Sequence, residues 1–323
     1  MQTNLILCII VAVSLILCPV VALGSEAEAP PSPAVTAEKA EGNYISVMSP
    51  ATGKISKVGI REYIIGCVAA EMPAVYHTEA LKAQAVASYT YAKKTLEQNK
   101  KSKNSLLGGA DITDSPDMHQ GYIDCDERKE KWGKKYEEYE NKIASAVDEV
   151  SGLYLEYNGE TALAVYNSIS AGATQSAENL WGSEIHYLIS VESQGDRLSP
   201  DYIEKSVFDA GEFKSLAKDC GVKLSGDADE WVEEIKINSD GYVSAVVMGS
   251  KEIAASKFRE AFSLRSPCFD IEYDDGEFII ICKGHGHGAG MSQYGADYMA
   301  RQGFVWHEIL AHYYTGVEIS EDC

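Results

Sequence analysis

Apolar and polar positions alternate along Tyr44-Ile45-Ser46-Val47-Met48 and again along Lys54-Ile55-Ser56-Lys57-Val58. The Pro50-Ala51-Thr52-Gly53 turn between them predicts a hairpin. The period then lengthens. A helix is expected from about Ile60 to Glu71, stopped by Pro73, which disfavours helical geometry at Met72. A second is expected to start near Thr78, read as its N-cap, with Leu81, Ala85, Tyr89, Ala92 and Leu96 on one stripe. A third runs from roughly Lys134 to Val150. Strand signals follow. Leu153 to Tyr157 and Thr161 to Tyr166 flank Asn158-Gly159, a strong hairpin signal. Trp231 to Ile237 pairs with Tyr242 to Met248 across Asp240-Gly241, and Phe269 to Tyr273 with Glu277 to Cys282. Short helices fit Ser256 to Phe262, Ser292 to Arg301 and Trp306 to Tyr313. Hairpins mixed with unpaired helices indicate an α+β fold, antiparallel hairpins with packed helices around a groove.

The first 43 residues break this pattern. Leu5 to Leu23 is uncharged and almost wholly apolar, long enough to just span a bilayer. It is read as a retained anchor or, with Ala22-Leu23-Gly24 as the cleavage site, as a signal peptide. Either places the rest outside the cytoplasm. Residues 25–43, with Pro30-Pro31-Ser32-Pro33, read as an extended tether, so the folded domain is expected over 44–323.

Composition then narrows the partners. The 323 residues carry 28 Lys plus Arg against 49 Asp plus Glu, a formal net charge of −21. Such a surface repels phosphate backbones, which argues against nucleic-acid binding. Six of the eight cysteines lie outside the apolar segment and none forms a C-x-x-C pair, so structural zinc has no support. Disulfides and buried free thiols both remain open for them.

Glu71 is the first candidate for chemistry. It follows Val68, Cys67 and Ile64 by three, four and seven residues and so shares their apolar helix face. It also sits at the negative end of its helix. Both circumstances raise a carboxyl pKa and suit a proton donor. A frayed last turn that frees Glu71 to solvent is the alternative. The second candidate is Gly284-His285-Gly286-His287-Gly288-Ala289-Gly290-Met291-Ser292-Gln293, where alternating glycines let the backbone approach a ligand closely. Ser292 is a natural cap for the following helix. A tight turn, or a His285–His287 metal pair completed by His307 or His312, are the other readings. Tyr166-Asn167-Ser168-Ile169-Ser170-Ala171-Gly172-Ala173-Thr174 either lines a polar groove or forms turns, and Gln120 and Tyr122 are equally open. Trp181 is expected to pack, with stacking on a sugar as the alternative. Lys100 to Lys103 reads as a solvated loop, and Asp124 to Glu130 as a charged approach to a helix.

Two of these stretches carry a resemblance. Arg61-Glu62-Tyr63-Ile64-Ile65-Gly66-Cys67-Val68-Ala69-Ala70-Glu71-Met72-Pro73, continued by Glu79-Ala80-Leu81-Lys82-Ala83-Gln84-Ala85-Val86-Ala87, is one. Gly286-His287-Gly288-Ala289-Gly290-Met291-Ser292-Gln293-Tyr294-Gly295-Ala296, followed by Glu308 to Gly316, is the other. Together with Asn167-Ser168 through Thr174 and Trp181-Gly182, they resemble the stage II sporulation protein D and amidase-enhancer family of peptidoglycan lytic transglycosylases.

The resemblance implies cleavage of glycan strands between N-acetylmuramic acid and N-acetylglucosamine, leaving 1,6-anhydro ends, with Glu71 at the family's catalytic glutamate. It implies a substrate groove shaped by Asn167, Ser168, Thr174, His285, His287, Ser292 and Gln293, with Gln120 and Tyr122 beside them. A partner cell-wall amidase and a membrane scaffold are the implied associates. Tyr89 stands where the family usually has Arg and is expected to replace that contact. Thr113 and Met118 occupy places where some clostridial relatives have Cys and His, so no metal or other cofactor is expected. The missing Arg keeps a second reading open, a weakly catalytic peptidoglycan-binding protein that helps an amidase. A His-dependent metallohydrolase is the third.

Overall fold

A computed structural model describes residues 44–102 and 105–322. The apolar segment, the tether and Cys8, Cys18 and Cys323 lie outside the described residues, so the anchor-or-signal alternatives are not addressed by it. No described helix is long and apolar enough to cross a membrane. The architecture is α+β, with small sheets and packed helices.

Strands β1 (Tyr44–Met48) and β2 (Ile55–Gly59) pair antiparallel, Tyr44 opposite Gly59. Helix α1 (Ile60–Glu71) ends where Pro73 requires, with Tyr63, Ile64, Ile65, Cys67 and Val68 buried. Helix α2 (Thr78–Lys101) packs against α1. Its cap is His77 rather than Thr78, because residue 77 keeps an extended backbone and its Nδ1 accepts the Glu79 N–H at 3.3 Å. Lys100 and Lys101 continue α2 instead of forming a loop, cations at the negative end of its dipole.

Short β3 (Ile112–Thr113) adds parallel to β1. Helix α3 (Cys125–Trp132), capped by Asp124, replaces the expected charged approach, and α4 (Tyr136–Glu149) follows it. Between them lies an ionic clamp that the charge run concealed. Arg128 is fully buried and donates to Glu62 at 2.6 Å, to Glu140 at 2.8 Å and to the Ile123 carbonyl at 3.0 Å. One guanidinium thus ties α1, α3 and α4 together.

Strands β4 (Leu153–Tyr157) and β5 (Glu160–Thr161) make the Asn158-Gly159 hairpin. The strand expected to continue to Tyr166 stops at Thr161: Ala162 N–H still donates to the Leu155 carbonyl at 2.9 Å, but Leu163 N–H turns away to the Tyr187 hydroxyl at 2.7 Å. It resumes as β6 (Tyr166–Asn167), and α5 (Ala177–Trp181) follows.

A second hydrophobic core then forms from β7 (Ile203–Asp209), α6 (Ala210–Asp219), β8 (Val232–Ile237), β9 (Val243–Met248), β10 (Lys251–Ala254), α7 (Ala255–Ala261), β11 (Phe269–Asp274) and β12 (Glu277–Lys283). Phe213, Phe258, Phe262 and Phe278 are its centre. Strands β7 and β12 are antiparallel with Ile203 opposite Lys283, so the chain enters and leaves this lobe side by side. The chain returns to the first core as β13 (Met291–Ser292), parallel to β6. Then come α8 (Gln293–Arg301), α9 (Trp306–Tyr313) and β14 (Glu318–Glu321), which closes on β4. The five described cysteines, Cys67, Cys125, Cys220, Cys268 and Cys282, are free thiols.

Candidate active site

Glu71 ends α1, and the frayed alternative does not hold, because several groups pin this corner. Lys131 Nζ donates to the Ala69 carbonyl at 2.8 Å, satisfying an acceptor that the helix end leaves open. Lys142 Nζ holds the Ala74 and Tyr76 carbonyls at 2.9 and 2.5 Å, and His77 N–H donates to Asp297 at 2.6 Å. The Glu71 carboxyl therefore has a fixed seat. Its Oε1 accepts the Gly121 N–H at 2.6 Å and its Oε2 lies 3.5 Å from Gln293 Nε2. Burial raises its pKa above the ordinary carboxylate value, opposed by the Gly121 and Gln293 bonds and by the Lys131 charge. No cation comes within 4.0 Å of it among the described residues.

Glu71 opens onto a cleft of about 580 Å³. Pro73 and Tyr76 form one side, Ser168 and Ile169 another, and Gln293 and Tyr294 from the start of α8 a third. Asp201, Arg265 and His285 line it from the second lobe and its junction. Among the residues expected in a groove, the structure brings Ser168, His285 and Gln293 to Glu71.

The histidine-glycine loop explains part of this. It begins at Gly284, directly where β12 leaves the second lobe, and His285 exchanges two backbone bonds with Ile169, at 2.7 and 3.0 Å. Its glycines allow close approach to other parts of the chain itself. Gly290 has φ +68°, and a Cβ there would stand 1.9 Å from the Val165 carbonyl. At Gly286, φ +110°, it would stand 2.8 Å from Asn167 Cβ. Partial enclosure, then Arg265 and Arg259, lower the His285 pKa.

The other expected residues are placed differently. His287 is not among the cleft-lining residues; its Nδ1 accepts the Ala289 N–H at 3.0 Å and its ring lies 6.1 Å from that of Trp181. Trp181, expected to pack, is 45% exposed. Ser292 is fully buried, caps α8 and donates to Asp196 at 2.7 Å. Thr174 is buried and its hydroxyl bridges to the Val191 amide at 2.9 Å. Asn167 is buried too, its Nδ2 on the Ala289 carbonyl at 3.1 Å and its Oδ1 without a partner. Gln120 is buried in a network with Tyr63, Tyr166 and the Ser88 carbonyl, and Tyr122 stacks on Tyr63 at 5.3 Å. Both support the Gly121 amide without lining the cleft. Tyr89 is turned away from Glu71: its hydroxyl donates to Asp322 beside Lys93. Tyrosine cannot give the bidentate contact of a guanidinium, and here it fastens the end of β14.

No group of three or more His, Cys, Asp or Glu among the described residues is arranged to hold a metal ion, and His312 instead meets the Glu192 carbonyl at 2.8 Å. Gly121, Asp201 and Arg265 were not anticipated. Gly121 acts through a backbone amide, Arg265 comes from the second lobe and Asp201 from the junction just before it, and only the Gln120-Gly121-Tyr122 run gave a signal nearby.

A stage II sporulation protein family model matches residues 49–157. The chain is 38% identical over 268 residues to the stage II sporulation protein D of Bacillus amyloliquefaciens, covering 83% of this chain and 76% of that protein. It is 37% identical over 287 residues to the Bacillus subtilis (strain 168) protein of the same name, covering 88% and 80%. A Bacillus subtilis amidase enhancer is 25% identical over 308 residues, 79% of this chain and 40% of that one. An α+β protein with a partly buried glutamate at a helix end thus finds its class among sporulation proteins related to an amidase enhancer. The chain belongs to the stage II sporulation protein D family.

Proposed function

We propose that this protein is a peptidoglycan lytic transglycosylase acting on peptide-stripped glycan strands during engulfment, outside the cytoplasm and beside a cell-wall amidase. The observation that carries this reading is the Glu71 carboxyl, shielded, raised in pKa and held on the Gly121 amide at the floor of a cleft. Such a group is a good acid near neutral pH. It protonates the oxygen that links muramic acid C1 to glucosamine, and that C–O bond breaks. As carboxylate it then takes the proton of the muramic C6 hydroxyl, whose oxygen bonds to C1. No water is consumed and one carboxyl suffices, unlike a two-carboxylate hydrolase. His285, Ser168 and Gln293 are the groups in reach of the sugars.

Asp201 also lines the cleft, so product analysis decides the chemistry. Stripped strands treated with the protein should gain anhydro-muramyl ends, and Glu71→Gln should lose at least about 100-fold in rate, whereas Asp201→Asn should still yield the anhydro product. Reducing muramic ends in place of anhydro ends would make the protein a hydrolase. One observation favours a second reading, a weakly catalytic glycan-binding protein that stimulates an amidase. The position where the family carries Arg is Tyr89, tied to Asp322, and no described cation contacts Glu71. Strand binding without any anhydro product would support it.

A further inference from the structure

The Glu71 cleft is lined by a guanidinium, although the protein as a whole is strongly acidic. Arg265, between α7 and β11, lines the Glu71 cleft and also a neighbouring hollow of about 510 Å³ that holds Arg259. The two spaces share Arg265 and His285, so these side chains border both. Arg265 is under-used within the chain. Its Nη2 donates to the Asp201 carbonyl at 2.7 Å, its Nη1 reaches Glu204 only at 3.5 Å, and its Nε has no partner. Three of the five donors of the guanidinium fork are thus unspent, the buried Nε–H and one on each terminal nitrogen, and the terminal pair are the ones a ligand would use. Arg259 holds the loop beneath it, donating to the Leu264 and Arg265 carbonyls at 3.0 and 2.9 Å. Asp117, Asp201 and Glu260 also line these spaces, yet among the described residues Glu204 is the one carboxylate within 4.0 Å of either arginine.

A half-buried, incompletely paired guanidinium in a sugar cleft calls for a planar anion. Muramic acid supplies one. Its C3 lactyl group ends in an amide while the stem peptide is attached, and in a free carboxylate once an amidase has removed it. Muramic acid is also the sugar whose linkage Glu71 would protonate, so this substituent belongs to the same cleft. We infer that Arg265 is a specificity-determining residue that reads the free lactyl carboxylate, with Arg259 fixing its loop. This rests on the glycan reading above.

The test uses the full chain carrying Glu71→Gln, so that bound strands are not consumed. Two ligands are compared: amidase-stripped strands with free carboxylates, and the same strands capped as N-methylamides. Free strands should bind about 10- to 100-fold more tightly, the range of one charge-assisted contact. Adding Arg265→Gln should abolish the difference, and Arg265→Lys should restore part of it. Equal binding of free and capped strands by the chain with Arg265 intact overturns the inference. That comparison decides the matter even if Arg265→Gln does not fold. Tighter binding of peptide-bearing strands than of stripped ones would also overturn it, by assigning the cleft to the peptide. The two readings fail separately. Anhydro products formed equally fast from free and capped strands by the chain with Glu71 intact would remove Arg265 and leave the transglycosylase; binding of neither strand would remove both.

Discussion

Gly121 donates its main-chain N–H to Glu71 Oε1 at 2.6 Å, across 50 residues of sequence. The bond opposes the burial that raises the Glu71 pKa, so the carboxyl is shielded and still able to ionise, as a group that both gives and takes a proton requires. Glycine is needed here for space. A Cβ at 121 would lie 3.0 Å from that oxygen and 3.3 Å from Ala70 Cβ.

Gly121→Ala should therefore displace the carboxyl by a few tenths of an ångström. Because displacements toward 1 Å cost about 100-fold in catalysis, a fall of about 10-fold in kcat on stripped strands is expected, with the melting temperature nearly unchanged. Steady-state cleavage and thermal melts check this; an unaltered kcat would show that the amide does not position Glu71.

Glu71→Gln should stabilise the protein at neutral pH. Below the ordinary carboxyl value of 4.5 the group is protonated folded and unfolded, and nothing is lost. As pH rises past 4.5 the unfolded chain releases its proton first, so stability falls until the raised folded value is passed. Glutamine lacks that penalty and still accepts the Gly121 bond. Denaturant unfolding at pH 4 and pH 7.5 should show the variant equal at the lower pH and more stable at the higher. A constant offset would contradict the raised pKa.

Arg128→Met removes the clamp that joins α1, α3 and α4. Breaking a buried ion pair costs about 3–5 kcal/mol, and the low end applies because the Glu62 side chain is 40% exposed and can rehydrate. Roughly 3 kcal/mol of lost stability in a denaturant titration is expected. A loss under about 1 kcal/mol would mean that packing, not the clamp, joins these helices.

The sequence made elements of both cores legible where their signals were local. The Ile60–Glu71 helix, the hairpins at Asp240-Gly241 and Asp275-Gly276, and the Ser292 cap all follow from neighbours within a few residues. Strand β7 was illegible because its more sheltered face bears Glu204 and Ser206 beside Phe208, so no apolar alternation exists to read. Glu71 was readable from helix spacing, but the amide that seats it arrives from residue 121. Tyr89 shows the converse: matching a family position placed it near Glu71, while the side chain's direction depends on where β14 ends. Buried polar residues such as Ser292, Thr174 and Asn167 look the same in sequence whether they meet a sugar or a backbone carbonyl.

His287 should govern part of the acid stability. Enclosure, then the Arg259 charge, push its pKa down to about 4 from the usual 6.5. Above pH 6.5 the ring is neutral folded and unfolded, and the full stability is present. As pH falls from 6.5 toward 4 the unfolded chain binds the proton first, and about 2–3 kcal/mol is lost. His285, also lowered, acts in the same direction, so the variant must isolate one ring. His287→Asn keeps an acceptor for the Ala289 N–H and does not titrate. The stability of the wild type minus that of His287→Asn should shrink by about 2–3 kcal/mol between pH 7 and pH 4, measured by urea unfolding. If the difference stays flat across that interval, His287 is protonated as easily in the fold as out of it, and its ring is not enclosed as described.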